Sequence, residues 1–156
     1  MSATALPCLK KTPKESLEQV FWVNSMVPML QMAALSPHIR SGGAVLVTSS
    51  SAIHEAQAGI SLYSASKAAL HTAALSWATE LAPRNIRVNI LVPGPITSNL
   101  RAAIPDSFEA MLAQNALLKR GAMLPKPPAA MALFLLSDDA GYVTGSAYDV
   151  NGGFRP

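Results

Sequence analysis

The stretch Gly42-Gly-Ala-Val-Leu-Val-Thr-Ser-Ser-Ser51 decides the fold, because it places a short apolar run directly before a cluster of hydroxyl side chains. Residues 44–47 are apolar at consecutive positions and Thr48 follows them, whereas a strand with one solvated face alternates apolar and polar residues. Such a run is typical of a strand in a parallel sheet that is buried on both faces. The stretch therefore predicts a parallel strand at 44–48 that ends in a polar loop.

Two further strands complete the predicted sheet. Residues 86–91 are the second strand, which passes into the sharp turn Pro93-Gly94, and residues 146–150 are the final strand. Helical patterns separate these strands, and strands that alternate with helices form parallel sheets. The sequence therefore predicts an α/β fold with flanking helices and three parallel strands, adjacent in the order 44–48, 86–91 and 146–150.

Tyr63 and Lys67 stand at the start of a helical pattern that runs from about Ser61 to Leu81. Residues four positions apart share one face of a helix, so their polar ends can meet. A phenol with its ordinary pKa of about 10 transfers protons poorly at neutral pH, and an adjacent ammonium lowers that pKa. The pair is therefore a candidate acid/base. A solvated helix face is the alternative explanation.

A second candidate residue is Asn24, in a helical pattern that begins near Lys14 and extends to about residue 39. Pro28 lacks an N–H, so the carbonyl of Asn24, four residues earlier, loses its α-helical partner. We expect a kink here and a main-chain carbonyl that is available to a water. A structural kink around a buried, satisfied asparagine would explain the same residues.

Together these stretches resemble the short-chain dehydrogenase/reductase family, and the resemblance extends from about Thr12 to Gly153. That family carries a serine, a Tyr-x-x-x-Lys pair and a helix asparagine, followed by an Asn-x-x-x-Pro-Gly turn. The matching positions in this sequence are Ser50, Tyr63, Lys67, Asn24 and the turn that ends at Pro93-Gly94. The resemblance implies an NAD(P)-dependent oxidoreductase that reduces a carbonyl or oxidises an alcohol.

The resemblance also implies a role for each matched side chain. Tyr63 transfers the proton to or from the substrate oxygen, while Lys67 lowers the pKa of Tyr63 and holds the nicotinamide ribose. Ser50 orients the substrate. The main-chain carbonyl of Asn24 anchors a water in the proton relay to Lys67.

In the resembled family the turn after the second strand receives the nicotinamide ring of the cofactor. That turn is Pro93-Gly94 here, and Ile96 matches a residue that contacts the carboxamide. The hydroxyl that accompanies this isoleucine matches Ser98 better than Thr97, and the donor stays open between the two. Tyr63 and Lys67 belong to the implied cofactor site as well.

The first half of the resembled fold is not found in this sequence. A dinucleotide-binding fold carries a Gly-rich phosphate turn between a strand and a helix, and no glycines stand at such a place here. We therefore expect a truncated Rossmann-like doubly wound fold that binds NAD or NADP weakly or not at all as an isolated chain. The strand that should flank 44–48 is missing too, so we expect a strand beside this edge, either from another chain or from the lead-in at 1–13 folding back.

Length and composition add further expectations. The 156 residues predict a single domain, 1–156, with a loose lead-in at 1–13. Residues 97–123 resemble the family's apolar lid over the substrate, although an ordinary amphipathic helix explains 106–118 equally well. One cysteine, Cys8, predicts a cytoplasmic location. No apolar run is long enough to span a bilayer and the basic residues are scattered, so neither a membrane nor a nucleic acid is expected as a partner.

Charged residues make up only 13% of the chain, against roughly a quarter in ordinary soluble domains, so part of the surface is expected to be covered. The resemblance implies a homo-oligomer through helices 14–39 and 61–81, the second with Ala-rich faces and Trp77. Another chain of the family is a further candidate partner. Three functions stay open: an oxidoreductase of a small carbonyl or alcohol substrate, a non-catalytic assembly module that pairs with itself or a full-length relative, and cofactor-free lyase or dehalogenase chemistry.

Overall fold

The computed structural model describes residues 12–54, 58–96, 114–119 and 124–154. Within these ranges the helices are α1 (Lys14–Phe21), α2 (Val27–Leu35), α3 (Ser61–Leu81) and α4 (Lys126–Leu136), and the strands are β1 (Ala44–Thr48), β2 (Arg87–Pro93) and β3 (Ala147–Val150). A five-residue π-helical turn, Trp22–Met26, joins α1 to α2. Short 3₁₀ turns lie at Ser36–His38, Ser51–His54, Ala82–Arg84 and Asp138–Ala140.

The three strands form one parallel sheet in the order β1-β2-β3, which confirms the predicted α/β fold and strand order. Leu46 lies opposite Asn89 in the first strand pair. The second strand continues to Pro93, beyond its predicted end, and the N–H of Gly94 still donates to the carbonyl of Val150 at 3.0 Å. The ladder between β2 and β3 therefore reaches the sharp turn itself.

Strand β2 is buried at every position after Arg87, whereas β1, which was predicted to be buried on both faces, is only partly buried. Val88, Ile90 and Val92 are almost inaccessible to solvent, and β2 contacts both α3 and α4. In β1, by contrast, only Val47 is buried and Thr48 is exposed. The prediction for β1 was wrong because, in the described part of the chain, the sheet ends at β1, and a strand at a sheet edge is covered on fewer sides.

Small side chains of α3 allow this helix to lie close to β2. Ala74 and Ala78 are buried in the main hydrophobic core together with Leu70, and Trp77 packs partly against the same core. These two alanines therefore serve the chain's own packing rather than an external contact. The predicted assembly role of the other faces of this helix stays a prediction.

The helix predicted at 14–39 is interrupted just before Pro28. The interruption is a π-helical turn and not a simple proline kink. The N–H of Val27 donates to the carbonyl of Trp22, five residues earlier, instead of to the usual partner four residues earlier. Pro28 falls in the first turn of α2, where a missing N–H leaves no hydrogen bond unmade. The interruption places Asn24 in the middle of the π-turn.

Residues 1–11 of the predicted lead-in and most of the predicted lid, at 97–123, lie outside the described residues. Within the short described segment 114–119, the N–H of Leu118 donates to the carbonyl of Gly152 at 2.9 Å. A side chain at Gly153 would lie only 2.7 Å from Leu117. This part of the predicted lid therefore rests on the turn that follows β3.

Two arginines bind main-chain carbonyls where helical segments end. Arg84 donates to the carbonyls of Ser36 and Ile39. Arg87 donates to the carbonyl of Leu135 at 2.7 Å and to that of Ser137 at 2.9 Å. The last carbonyls of a helix have no intrahelical partner, so a guanidinium there satisfies groups that would otherwise need water.

We expect the substitution Arg87→Met to lower the free energy of unfolding by about 1–3 kcal/mol, because methionine keeps the aliphatic stem and removes both donors. Urea denaturation followed by circular dichroism measures this change. The matched control is Arg40→Met at an exposed position, which should alter the free energy of unfolding by less than about 0.5 kcal/mol. Equal losses in the two variants would contradict a specific role for Arg87.

Candidate active site

The matched residues lie at the end of the sheet where the parallel strands β1 and β2 terminate. Ser50 follows β1, Gly94 follows β2, and the first turns of α3 carry Tyr63 and Lys67. Ligand sites of open α/β sheets lie outside the carboxyl ends of the strands. The fold therefore places the sequence-predicted site residues where a ligand site is expected.

The start of α3 is held in place by Ser66, which is completely buried. Its hydroxyl donates to the carbonyl of Tyr63 at 2.7 Å and accepts a hydrogen bond from the Asn24 side-chain amide at 3.0 Å. The hydroxyl of Ser25 donates to the carbonyl of Ser66 at 2.7 Å. Ser66 thus joins the turn that carries Tyr63 and Lys67 to the π-turn that carries Asn24.

The side chain of Asn24 therefore has a structural task that the sequence did not reveal. Its predicted role concerns the main-chain carbonyl, whereas its amide is used to fix Ser66. Ser25 and Ser66 were missed as well. The available signal was the position of Ser66, which lies directly before Lys67 and three residues after Tyr63, inside the turn that must be oriented.

Lys67 uses its ammonium to bind the main chain of β1. Its Nζ donates to the carbonyl of Thr48 at 3.2 Å. Burial lowers the pKa of Lys67 below its ordinary value, because a partly desolvated ammonium is less stable than one in water. The cation predicted to assist Tyr63 is therefore hydrogen-bonded to the end of the strand.

Ser50 lies at the start of a 3₁₀ turn that follows β1. Its hydroxyl oxygen accepts the N–H of Ala52 at 3.3 Å, and its carbonyl accepts the N–H of Ile53 at 3.2 Å. The side chain is half-buried. Because the hydroxyl acts only as an acceptor in this turn, its proton stays available to hydrogen-bond a substrate oxygen.

His71 and Ser49 form a polar contact that the sequence did not reveal. The Nδ1 atom of His71 lies 3.3 Å from the hydroxyl oxygen of Ser49, and Ser49 is buried, with its N–H donating to the carbonyl of Leu91 at 2.8 Å. In sequence, His71 is equally typical of a packing or interface residue, and Ser49 of a turn residue. The signal lay in the spacing, since His71 is one helical turn after Lys67.

The pKa of His71 is lowered, chiefly because burial penalises the imidazolium form. The nearby His54 lowers this pKa further, while the carboxylate of Asp149 acts in the opposite direction. The neutral imidazole is therefore the preferred form in the folded chain. A neutral ring can accept the Ser49 hydroxyl proton at Nδ1, which fits the observed contact.

The turn after β2 requires glycine at residue 94. A side-chain carbon there would lie 2.8 Å from the Cα atom of Asn151, which is far closer than carbon atoms approach. The Asn151 side-chain oxygen accepts the N–H of Gly153 at 2.9 Å, so this residue shapes the turn after β3. Ile96 is half-buried, while Thr97 and Ser98 lie outside the described residues.

The described residues at these strand ends fit the nicotinamide end of a dinucleotide. Lys67 holds three donor hydrogens and uses one on Thr48, and Tyr63, Gly94 and Ile96 are partly accessible around the same strand ends. Elsewhere in the described ranges, no group of three or more His, Cys, Asp or Glu side chains could hold a metal ion. None of the described helices combines the length and apolar character that crossing a membrane requires.

A protein-family model described as enoyl-(acyl carrier protein) reductase matches residues 3–155. The chain belongs to the short-chain dehydrogenase/reductase family. Human dehydrogenase/reductase SDR family member 4 is 38% identical over 143 residues, which cover 90% of this chain and 51% of that protein. The oxidoreductase asL5 of Sarocladium schorii is 33% identical, over 86% of this chain and 51% of that one. The chain spans about half the length of the curated relatives it matches.

Solved structures of this family superpose closely on the chain. A 3-oxoacyl-[acyl-carrier protein] reductase from Brucella melitensis gives a TM-score of 0.90 at 26% identity, over 99% of this chain and 59% of that one. The angucycline C-6 ketoreductase LanV with bound NADP gives 0.88 at 27% identity, over 98% of this chain and 59% of that one. A blue fluorescent protein from a metagenomic library, in complex with NADPH, gives 0.90 at 27% identity, over 100% and 63%. The α/β architecture is therefore that of the Rossmann-like fold of this family.

The lowered pKa of His71 predicts a specific pH dependence of stability. The ordinary pKa of histidine is 6.5. Near that pH His71 takes up a proton more readily in the unfolded chain than in the folded chain. The free energy of unfolding should therefore fall as the pH drops from 6.5 toward the lowered pKa of the folded state, and this loss should end below it. Urea denaturation at a series of pH values measures the effect.

The variant His71→Gln should lack this part of the pH dependence, because glutamine does not titrate. His38→Gln, at an exposed position, serves as the matched control and should leave it intact. The assignment to His71 is wrong if the His71→Gln variant loses stability with falling pH as steeply as the unmodified chain does.

Proposed function

We propose that this chain is the catalytic part of an NAD(P)-dependent oxidoreductase that reduces a small carbonyl compound or oxidises the corresponding alcohol. The observation that carries the proposal is the anchoring of Tyr63 and Lys67 at the carboxyl ends of the strands through the buried Ser66. Membership in the short-chain dehydrogenase/reductase family supports the reaction class. Such anchoring reduces the motion of the reacting groups, and proton transfer requires that these groups be held in a fixed geometry.

Each proposed catalytic residue has one task in the reduction direction. A reduced nicotinamide held at this site would supply the hydride for the carbonyl carbon. Tyr63 gives its phenolic proton to the carbonyl oxygen, and the proton is replaced from solvent through Lys67 and a water at the Asn24 main-chain carbonyl. Ser50 donates its free hydroxyl proton to the same substrate oxygen and so fixes its position.

The cofactor proposal concerns only the nicotinamide end. Pro93, Gly94 and Ile96 are the candidates for contact with the ring, with Thr97 or Ser98 as the hydroxyl donor. Lys67 is the candidate for the ribose. NADP and NADPH accompany two of the similar solved structures, which supports a nicotinamide cofactor. The choice between NAD and NADP stays open.

The substrate class follows from the site and from the names of similar proteins. Two of the superposed structures are a 3-oxoacyl-[acyl-carrier protein] reductase and a C-6 ketoreductase, and both names describe carbonyl reduction. The described lid segment presents Leu117 and Leu118 to solvent. A small ketone with an apolar substituent is therefore the proposed substrate class.

A non-catalytic assembly module is the second candidate function. The bond between Lys67 and Thr48 favours it, because it commits one donor of the ammonium to the main chain of the strand. Exposed apolar side chains also lie along α1, the π-turn and α2, which the family resemblance assigned to an oligomer contact: Leu17, Trp22, Val23, Met26, Leu30 and Leu35. In this alternative the chain contributes surface to an assembly and performs no chemistry.

We expect Tyr63→Phe to reduce ketone-dependent oxidation of NADH or NADPH by about 10²–10⁴-fold, since loss of a general acid removes that much rate. The measurement uses the chain in whichever assembly shows turnover and follows nicotinamide absorbance. The far-ultraviolet circular dichroism should change little, because the hydroxyl is not part of the core.

Tyr142→Phe is the matched control, because it removes the same atom from a fully exposed tyrosine. It should keep full activity. Substantial turnover by Tyr63→Phe would reject Tyr63 as the acid, and the absence of any cofactor titration or turnover in every assembly would favour the assembly module.

A further inference from the structure

The dipeptide Asn151-Gly152 lies in a tight turn directly after β3, and the sequence contains no other Asn-Gly pair. The carbonyl of Asn151 accepts the N–H of Phe154 at 3.2 Å, and the φ angles of Gly152 and Gly153 are 67° and 72°. Positive φ at both central residues is characteristic of a type I′ turn, which glycine adopts without strain. The turn therefore places an asparagine directly before a residue that has no side chain.

The asparagine side chain and the main-chain nitrogen that follows it are held in one small ring. The Oδ1 atom of Asn151 accepts the N–H of Gly153 at 2.9 Å, and this bond closes a ring that contains both the Asn151 Cγ atom and the Gly152 nitrogen. Gly152 has no β-carbon to shield that nitrogen. Among the described residues, no acceptor is paired with the Gly152 N–H. The nitrogen can therefore lose its proton and approach Cγ without first breaking a hydrogen bond.

The bond from Gly153 also supplies the charge stabilisation that such an attack requires. When a nitrogen adds to the carbon of an amide, negative charge develops on the amide oxygen, which here is Oδ1 of Asn151. A donor that is already directed at this oxygen lowers the barrier, as a main-chain N–H does in an oxyanion hole. The Gly153 N–H is such a donor.

We propose that Asn151 is a site of spontaneous covalent modification, at which the turn promotes conversion of the asparagine into aspartate and isoaspartate. The Gly152 nitrogen loses its proton and forms a bond to Cγ, and the Cγ–Nδ2 bond breaks to release ammonia and leave a succinimide ring. Water then opens the ring. Opening at Cγ gives aspartate, whereas opening at the former main-chain carbonyl gives isoaspartate. No oxidant, reductant or enzyme is required.

Asn85 provides an internal control in the same chain. It is exposed and also has a positive φ, of 55°. The residue after it is Ile86, which is buried and β-branched, and the N–H of Ile86 donates to the carbonyl of Leu81 at 3.3 Å. Attack at Asn85 would have to break that bond and pass a branched side chain. Asn85 should therefore be far less reactive than Asn151.

The two products have different effects on the turn. Aspartate keeps a side-chain oxygen that accepts the N–H of Gly153. Isoaspartate directs the main chain through Cγ, which lengthens it and removes the former Asn151 carbonyl from the turn. The N–H of Phe154 then loses its partner, and the Gly152 carbonyl, which accepts the N–H of Leu118 at 2.9 Å, is displaced. Isoaspartate should therefore loosen the contact between the turn and the segment 114–119.

The modified residue also adjoins the candidate active site. A side-chain carbon at Gly94 would lie 2.8 Å from both Cα and Cβ of Asn151, so the two turns are in direct contact. Either product introduces a negative charge beside the Pro93-Gly94 turn. The proposal itself concerns the chemistry of the Asn151 turn and does not rest on the proposed function.

The test is to incubate the full 156-residue chain at physiological temperature and pH and to follow its peptides by mass spectrometry. Conversion is detected as the mass gain that accompanies replacement of an amide by a carboxylate, and isoaspartate as methyl label added by an isoaspartyl methyltransferase. We expect Asn151 to convert at least about tenfold faster than Asn85, because only Asn151 is held in position for attack.

A second measurement separates assistance by the turn from the intrinsic reactivity of the dipeptide. The same chain unfolded in guanidinium chloride keeps Asn151-Gly152 but loses the directed N–H of Gly153. The folded chain should convert Asn151 at least about threefold faster than the unfolded chain, since a preorganised donor lowers the barrier.

Two variants complete the design. Asn151→Ser keeps a hydroxyl acceptor for the turn and carries no amide, so its peptide should take up no methyl label. Asn151→Asp represents one product and should keep the turn. Amide hydrogen exchange at Leu118 and Phe154 should be as slow in Asn151→Asp as in the unmodified chain, and faster in the fraction that contains isoaspartate.

Several results would overturn the proposal. Equal conversion of Asn151 and Asn85, or conversion of Asn151 that is as fast in the unfolded chain as in the folded one, would show that the turn gives no assistance. Aspartate without isoaspartate would reject the succinimide route, because opening of that ring yields both products. Unchanged exchange at Leu118 and Phe154 in the isoaspartate fraction would contradict the expected loss of the turn.

Discussion

The hydrogen bonds at Ser66 are the constraint on which the rest of the site depends. A helix of small residues such as α3 can rotate and slide over a sheet, because alanine side chains offer little to interlock. Ser66 removes this freedom, since its hydroxyl is bonded to the Asn24 amide and the Tyr63 carbonyl, and its carbonyl accepts the Ser25 hydroxyl. All of these groups are shielded from water to a large degree. Breaking any one of them leaves a buried polar group without a partner, which costs roughly 1–3 kcal/mol. The orientation of the first turn of α3 is therefore determined by the π-turn.

The π-turn is the other half of this constraint. A regular α-helix through residues 22–26 would place Asn24 and Ser25 about 100° apart around the axis, whereas a π-turn widens the helix locally and brings neighbouring side chains to a different angle. Asn24 and Ser25, adjacent in sequence, both reach Ser66. Functional sites commonly contain such turns, since they offer side-chain directions that a regular helix does not. The position of Pro28 in the first turn of α2 makes this arrangement compatible with the chain.

Local patterns were sufficient to predict the elements of this fold. The bounds of α3 agree with the helical pattern at 61–81, and the order of the three strands agrees with the predicted order. Properties that depend on distant residues were not predictable. The burial of β1 depends on which strand lies beside it. The Ser49–His71 and Asn24–Ser66 contacts join residues 22 and 42 positions apart, and a serine that could cap a turn locally looks the same in sequence as one that makes such a contact.

The Thr48 carbonyl belongs to the sheet and is also bound by Lys67 of the candidate active site. A carbonyl at a sheet edge needs a donor, and it will take an N–H from a strand or an ammonium from a side chain. The burial that lowers the pKa of Lys67 also makes its ammonium dependent on acceptors within reach. The Thr48 carbonyl and the Lys67 ammonium therefore satisfy each other in the described part of the chain. An ammonium has three donor hydrogens, so two remain for other polar groups on the same helix face. The position of this ammonium at the end of β1 thus bears directly on the electrostatics around Tyr63.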